Sequence, residues 1–87
     1  MISITFHRDF NKKYKKLSQK DKEKTKERIR IFSEDIFNPI LNNHPLEGKY
    51  KGYRSINIKG DLRIVYKLRN VNVAFFVAID NHSNLYK

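Results

Sequence analysis

Hydrophobic residues follow two different periods in the first forty residues. Every second residue is apolar at the start, which predicts a strand over Ile2–Phe6. The next apolar residues recur at spacings of four, four and three, which indicates one face of a helix: Phe6, Phe10, Tyr14 and Leu17. The run from Ser18 to Asp21 resembles a capping box, so a second helix is predicted from Ser18. It should end at Asn38-Pro39, because the residue before proline disfavours helical backbone.

Three strands follow a loop at residues 39–52, which is rich in Pro, Gly and Asn and contains His44. Alternating or apolar runs predict strands at Tyr53–Ile58, Leu62–Leu68 and Asn72–Ile79, joined by short turns. The order β-α-α-β-β-β predicts an α+β fold, in which two N-terminal helices pack on one face of a four-stranded antiparallel sheet. A chain of 87 residues should form a single domain over residues 1–87.

The chain is strongly basic, with 19 Lys and Arg against nine Asp and Glu and a formal net charge of +10. Residues 8–30 carry a local excess of seven positive charges. A field of this sign attracts polyanions or an acidic protein partner, and it exceeds what solubility requires. The sequence therefore favours a nucleic-acid partner over a merely solvated lysine-rich face.

Several classes of protein are disfavoured. The chain has no cysteine, which fits a reducing compartment and excludes disulfides and thiolate metal sites. The N-terminus lacks the pattern of a signal peptide, and no apolar run approaches the roughly 18 residues of a membrane span. We therefore predict a soluble cytoplasmic protein whose site is a shallow groove.

Strand alternation predicts a polar array on the sheet face that the helices leave open. Four side chains share that face: Ser55, Asn57, Arg63 and Lys67. Such a surface can hydrogen-bond phosphates and bases, although one face of any half-covered sheet is polar. His44 precedes these strands and His82 follows them, whereas His7, at a strand-to-helix junction, should be structural. Asp61 stands in a Gly-Asp turn, where backbone preferences alone explain an aspartate.

Three runs of residues together resemble the RelE/ParE toxin superfamily, and within it the YafQ-like branch of mRNA interferases. They are HPL-x-G-x-YKGYR from His44 to Arg54, Asp61 with the strand Ile64–Leu68, and H-x-x-L-Y from His82 to Tyr86. The resemblance covers essentially the whole chain. It implies the toxin of a type II toxin–antitoxin system, which cuts mRNA on the ribosome and is neutralised by a cognate antitoxin.

The resemblance also implies roles for individual residues. His44 matches the histidine that begins the YafQ motif, and His82 matches the C-terminal catalytic histidine. Asp61 matches the acidic residue of the strand turn, and Arg63 matches an arginine used by the RelE branch. Tyr86 lies where the family has an aromatic that can stack on a base.

The chain departs from the family at several positions. Ser55 and Asn57 replace an aspartate and a histidine, so the third histidine of the YafQ set is absent. Leu62 replaces a tryptophan and Ala78 an arginine, and Asp80-Asn81 replaces the common Gly-Thr. These changes predict reduced activity.

These residues predict RNA cleavage by attack of the 2′-OH, a reaction that requires acid–base catalysis and charge stabilisation but no metal or cofactor. His82 is the predicted general acid, either His44 or Asp61 the base, and Arg63 the phosphate-stabilising group. Weaker phosphate-binding candidates are Lys49, Lys51 and Arg54, although Arg54 shares the parity of Ile56 and Ile58 and could instead pair with a carboxylate inside. The helical lysines should dock ribosomal RNA: Lys12, Lys13, Lys15 and Lys16.

Two other functions remain open from the sequence. A ParE-like gyrase inhibitor would share the fold without needing histidines at the sheet edge. A catalytically weak toxin could instead bind RNA or the ribosome and block translation by occupancy, which Asn57 and Ala78 favour. In each case an acidic antitoxin is the expected partner, in a toxin–antitoxin hetero-oligomer.

Overall fold

The chain begins with one strand and two helices, close to their predicted positions. In the computed structural model, which describes residues 1–86, these elements are β1 (Ser3–Phe6), α1 (Arg8–Lys15) and α2 (Gln19–Glu34). Ser18 caps α2, because its Oγ accepts the Asp21 N–H at 3.1 Å. The helix ends at Glu34, before the predicted Asn38-Pro39, because Asp35 turns to extended backbone at φ −155° and ψ 96°.

The remaining elements include two that fall outside the predicted set. They are β2 (His44–Pro45), β3 (Arg54–Lys59), β4 (Leu62–Asn70), β5 (Val73–Asn81) and α3 (His82–Leu85). Short 3-10 turns at Pro39–Leu41 and Gly48–Tyr50 complete the chain. β2 lies in the segment predicted as a loop, and α3 follows directly on β5. A proline is compatible with β2 because this strand lies at a sheet edge.

The strands form one five-stranded mixed sheet in the order β1-β5-β4-β3-β2. The predicted four-stranded antiparallel sheet is therefore wrong in strand number and in one direction, since β1 pairs parallel to β5. β1 ends opposite Phe76, so the last residues of β5 lack a strand on that side. Alternation of apolar residues identifies a strand but does not encode its neighbour or its direction, which explains the error.

The face of the sheet under the helices carries the main core. Phe32 of α2 lies 4.9 Å from the Tyr66 ring and 5.1 Å from the Phe76 ring, between centroids, in edge-on contacts. Phe10 of α1 packs on the same Phe76 at 5.9 Å. Side chains of β3 and β4 complete this core: Ile56, Ile58 and Ile64. We call this surface the helix face.

The opposite surface of the sheet, called the second face below, is partly covered by the chain itself. Leu46, Val65 and Leu85 form a smaller apolar cluster there, flanked by Tyr50 and Tyr53. The cluster covers much of a face that the sequence predicts to be open. Within residues 1–86, no helix is long and apolar enough to cross a membrane.

Candidate functional site

Three polar side chains lie side by side across the second face. Arg63 of β4 is in register with Asn57 of β3 on one side and with Asp80 of β5 on the other. Its Nη1 donates to the Asn57 Oδ1 at 2.6 Å. The Arg63 Nε is buried and has no hydrogen-bond partner among the described residues. The sequence correctly predicts that Asn57 and Arg63 share one face of the sheet. The structure shows that Asp80 lies beside them.

Asp80 accepts hydrogen bonds from three directions. Its Oδ1 receives the Asn81 N–H at 2.8 Å and the Asn84 side-chain amide at 3.1 Å. Its Oδ2 lies 3.3 Å from the Lys13 Nζ of α1. Burial alone would raise the Asp80 pKa, but these hydrogen bonds and the Lys13 charge outweigh burial and hold the pKa below its usual value. Asp80 is therefore an anion that joins β5, α3 and α1.

His44 is half-buried on the edge strand β2, opposite Ser55. Its Nδ1 lies 2.8 Å from the carbonyl oxygen of Asn42. A carbonyl can only accept, so Nδ1 must carry the proton, which leaves Nε2 of the neutral ring as the free acceptor. Asn42 has the left-handed backbone, φ 47° and ψ 49°, that an asparagine tolerates better than most residues.

His82 begins α3 and stays exposed beside the turn that holds Asp61. The His82 backbone N–H donates to the Asp61 carbonyl at 2.9 Å. The His82 and Tyr86 rings lie 4.7 Å apart, and the Tyr86 ring meets Tyr50 at 6.0 Å in an edge-on contact. Asp61 itself is exposed. The two predicted C-terminal site residues thus lie at the start of α3 and directly after its end.

Lysines border the tyrosines of the second face. The Lys67 Nζ lies 5.4 Å from the centroid of Tyr53, and the Lys49 Nζ lies 5.2 Å from that of Tyr50. Burial, with smaller effects of the neighbouring phenols of Tyr86 and Tyr53, raises the pKa of Tyr50 above its usual value. These phenols lie among cations, so the surface combines aromatic planes with positive charge. Lys51 is exposed near them.

Two of the predicted RNA-binding residues lie in other surroundings. Ser55 is on the second face but 0% exposed, so its predicted exposure is wrong: the cluster around Val65 covers it. Arg54 donates through Nε to the Asn43 Oδ1 at 2.7 Å, and its guanidinium lies 5.4 Å from the Phe37 ring centroid. Asn43 in turn donates to the Tyr66 hydroxyl at 2.6 Å. Arg54 therefore joins a structural network, with an amide partner rather than the carboxylate suggested by parity.

The predicted docking lysines of α1 divide into two groups. Lys12, Lys15 and Lys16 are exposed, whereas Lys13 is only half-exposed and pairs with Asp80. His7 caps α1 by accepting the Asp9 N–H on its Nδ1 at 2.9 Å, the structural position that the sequence predicts. Substitution of Lys13 is therefore expected to break the ion pair with Asp80, whereas substitution of the three exposed lysines leaves that pair intact.

Two clefts meet at the Lys13–Asp80 ion pair. One, of about 580 Å³, extends from this pair over Val77 and Ala78 to Lys49 and the tyrosines. The other, of about 620 Å³, extends from the pair to Lys59 and the turn of Asp61. Lys13, Asp80 and Asn84 line both clefts. The pair thus stands between the tyrosine surface and the turn.

The predicted catalytic side chains share this surface without touching. No hydrogen bond or ion pair within residues 1–86 joins the side chains of His44, Asp61, Arg63 and His82 to one another. Adjacent strands lie about 4.8 Å apart, so the backbone of His44 is about 10 Å from that of β4. The two histidines therefore stand on different elements of the second face, His44 on β2 and His82 on α3.

Sequence reasoning missed Asp80 and Asn42. The sequence marks Asp80 only as a departure from Gly-Thr. Its position opposite Arg63 follows once the alternating residues of β4 and β5 are aligned as paired strands. Asn42 gave no signal beyond the preference of Asn for loops, because its carbonyl contact with His44 arises from local backbone geometry.

Comparison with known proteins identifies the family. The profile of one family, described as "Bacterial toxin of type II toxin-antitoxin system, YafQ", matches residues 2–87. The chain belongs to the YafQ family. No curated protein matches it. As a member of the YafQ family, it is a toxin of the type II toxin–antitoxin class.

Solved structures of toxins share the fold over nearly the whole chain. YafQ from E. coli strain BL21(DE3) is 25% identical, with a TM-score of 0.79 and 100% of both chains covered. A copper-bound point mutant of a toxin from Helicobacter pylori is 26% identical, with a TM-score of 0.80, covering 98% of this chain and 99% of that one. The E. coli DinJ–YafQ complex matches at 26% identity and a TM-score of 0.77, over 100% of both chains.

Proposed function

We propose that this toxin is an endoribonuclease that cleaves mRNA by attack of a 2′-OH on the neighbouring phosphate, with the ribosome presenting the mRNA. The observation that carries this proposal is the tautomer of His44. The Asn42 carbonyl holds the Nδ1 proton, so Nε2 is free to accept a proton on the surface that also carries Arg63. An imidazole presented in this way is suited to general base catalysis near neutral pH.

The reaction needs a base, an acid and a cation at the phosphate. His44 Nε2 would take the 2′-OH proton as the 2′-oxygen bonds to phosphorus, and the P–O5′ bond would then break. His82 would donate a proton to the departing 5′-oxygen, and a 2′,3′-cyclic phosphate would remain. Arg63, held by Asn57, would face the developing phosphorane charge. We favour His44 over Asp61 as the base, because the Asn42 carbonyl fixes the His44 ring with Nε2 as the acceptor, whereas no hydrogen bond within residues 1–86 orients the Asp61 carboxylate.

The tyrosines and lysines of the second face would bind the RNA around the cleaved bond. Tyr86 is 37% exposed and offers a ring on which a base could stack. Lys49, Lys51 and Lys67 would contact phosphates on either side. Ser55 is left out because it is fully buried, and Arg54 because its guanidinium is held by Asn43. The exposed lysines of α1 would dock ribosomal RNA.

We further propose that an acidic antitoxin neutralises this toxin. The E. coli YafQ of similar fold has been solved as a DinJ–YafQ complex. The net charge of +10 favours an acidic partner. A small acidic protein encoded next to the toxin gene would be the candidate: it should co-purify with the toxin and restore growth.

Primer extension on a defined mRNA in a purified translation system tests the enzymatic proposal. Wild-type toxin should give cuts at defined positions, and His44→Ala and His82→Ala should each reduce the cleavage rate by about 10²–10⁴-fold. His7→Asn is the matched control, because it removes a histidine but keeps a good helix cap. Undiminished cleavage by His82→Ala would refute its assignment as the acid.

A specific contact supports one alternative, inhibition of translation by occupancy. Asn57 stands where the resemblance implies a histidine; a carboxamide cannot act as an acid or base near neutral pH, and here it only accepts a hydrogen bond from Arg63. Under this alternative the toxin arrests translation while primer extension shows no cuts. A gyrase inhibitor would instead leave translation intact in the same purified system.

A further inference from the structure

We infer that Asp80 is a positioning residue, whose carboxylate fastens α3 to α1 and so fixes the place of His82. This inference rests on the proposed function, because it concerns the proposed acid. Among residues 1–86, Asp80 is the only residue whose carboxylate accepts a hydrogen bond from α3, and it pairs with Lys13 of α1 at the same time. It would act on the reaction through His82 and would not contact the RNA itself.

The need for such a clamp follows from the length of α3. The helix spans four residues, His82–Leu85, and one turn of helix is not stable by itself in water. Its position therefore depends on contacts with the rest of the protein. Leu85, 4% exposed, anchors its end in the cluster of the second face, and the His82 N–H is held by the Asp61 carbonyl. Neither contact ties α3 to the helical layer.

Asp80 supplies that connection through both of its oxygens. Oδ1 binds the Asn84 amide on the last turn of the chain and the Asn81 N–H at the helix start. Asn81 is itself the cap of α3, accepting the Asn84 N–H at 2.9 Å. Oδ2 binds the Lys13 Nζ at 3.3 Å. The side chain of Asp80 is 23% exposed and that of Lys13 42%, so the contact with Lys13 is only partly shielded from solvent.

A competing interpretation gives Asp80 the opposite effect. A carboxylate beside Arg63 and Lys13 could act as a stand-in for RNA phosphate, so that the substrate must displace it. Removing the carboxylate would then strengthen RNA binding and raise the cleavage rate. We favour the clamp, because two of the three bonds of Asp80 go to the start and the end of α3 rather than to cations.

The experiment compares four variants in the full-length toxin, with kcat and KM measured on ribosomes programmed with a defined mRNA. Asp80→Ala removes the whole clamp, and Asn84→Ala removes only the attachment to α3. Both should lower kcat by roughly 10- to 100-fold with KM within about twofold, since small misplacement of a catalytic group has this cost. Lys13→Met should lower kcat less. Glu34→Gln removes one negative charge, as Asp80→Ala does, but at the exposed end of α2; it is the control and should match wild type.

Amide hydrogen exchange and ¹⁵N relaxation of residues 82–86 provide a second readout that needs no activity. In Asp80→Ala and Asn84→Ala, these residues should exchange faster while the amides of β4 remain protected. If wild-type toxin cuts no RNA yet α3 loosens in this way, the enzymatic proposal fails and the clamp stands. Unchanged α3 dynamics with unchanged kcat, or a gain in rate in Asp80→Ala, would overturn the clamp.

Discussion

The two faces of the sheet are covered by different means. The helix face is packed by large aromatic rings from α1 and α2, with Phe32, Tyr66 and Phe76 fully buried. The second face is covered only by a short turn around Tyr50 and by the four residues of α3, around a cluster of three buried apolar side chains. Between these covers, Asn57, Arg63 and Asp80 remain half-exposed.

Because of this difference, the helix face is expected to contribute mainly to stability and the second face mainly to function. The face packed by α1 and α2 is mainly apolar, and polar groups on it, such as the Tyr66 hydroxyl, are hydrogen-bonded within the protein, which leaves little for a substrate to bind. A face covered by short segments buries less apolar area but can hold histidines, an arginine and tyrosines at its edge. We therefore expect substitutions on the helix face to alter the free energy of unfolding, and substitutions on the second face to alter function first.

The largest expected effect is on the helix face. Phe32→Ala removes a fully buried ring and should lower the free energy of unfolding by about 3–5 kcal/mol in urea titration. Leu85→Ala on the second face should cost about 2 kcal/mol, the lower end of the range for buried leucines, because its cluster is small. Equal losses in the two variants would show that the second cluster is a full core and would remove the contrast.

The helix face is also the part of the fold that the sequence predicts well. Phe10, Phe32, Ile56 and Ile64 stand at the correct helical or strand spacing, and all are buried there. Local periodicity is sufficient in this case because each element presents one continuous apolar side to its neighbour. The strand direction of β1 was not predictable in the same way, since its partner β5 lies about seventy residues further along the chain.

A second, smaller effect distinguishes Arg54 from Lys51, two cations that the sequence analysis predicts alike as phosphate-binding residues. Arg54→Ala should lower the free energy of unfolding by about 1–3 kcal/mol, because it leaves Asn43 without its donor and removes the guanidinium from Phe37. Lys51→Ala, at an exposed position, should change it by less than about 0.5 kcal/mol. If instead Arg54→Ala keeps full stability and weakens RNA binding, Arg54 belongs with the phosphate-binding residues.

The second face was predicted only in part. Strand parity places Asn57, Arg63 and Lys67 correctly, but it does not foresee that Leu46 and Leu85 cluster with Val65 on this face or that Ser55 is fully buried. Those contacts join segments that are far apart in sequence and short in themselves, so no local pattern encodes them. The family resemblance predicts His44 and His82 as site residues, but it gives neither the Asn42 carbonyl contact of the first nor the hydrogen bond that Asp80 accepts from the helix of the second.

The lysines of α1 should show an effect on binding rather than on stability. The logarithm of the ribosome-binding constant should fall linearly with the logarithm of the salt concentration. Replacing Lys12, Lys15 and Lys16 by Glu should make this slope less steep by about 2, as the loss of three phosphate contacts would. Sedimentation with ribosomes at several salt concentrations measures this slope. The same three substitutions should leave the urea midpoint nearly unchanged, because the side chains are exposed. An unchanged slope would exclude α1 as a docking surface.

The smallest expected effect concerns Asp80 and pH. Because hydrogen bonds and Lys13 hold its pKa below the usual value, its stabilising contribution is complete above the pKa of an unfolded aspartate, near 3.9, and is lost as pH falls through the lower folded value. At pH 7, Asp80→Asn should therefore be less stable than wild type by about 0.5–1 kcal/mol, and the difference should shrink as the pH falls below the pKa of an unfolded aspartate and through the lower folded pKa. Urea titrations of both proteins between pH 2 and 7 would follow this convergence, with Glu34→Gln as the charge-matched control. A difference that persists unchanged to pH 2 would mean that the Asp80 charge does not stabilise the folded protein, and that its contacts on the second face act as neutral hydrogen bonds alone.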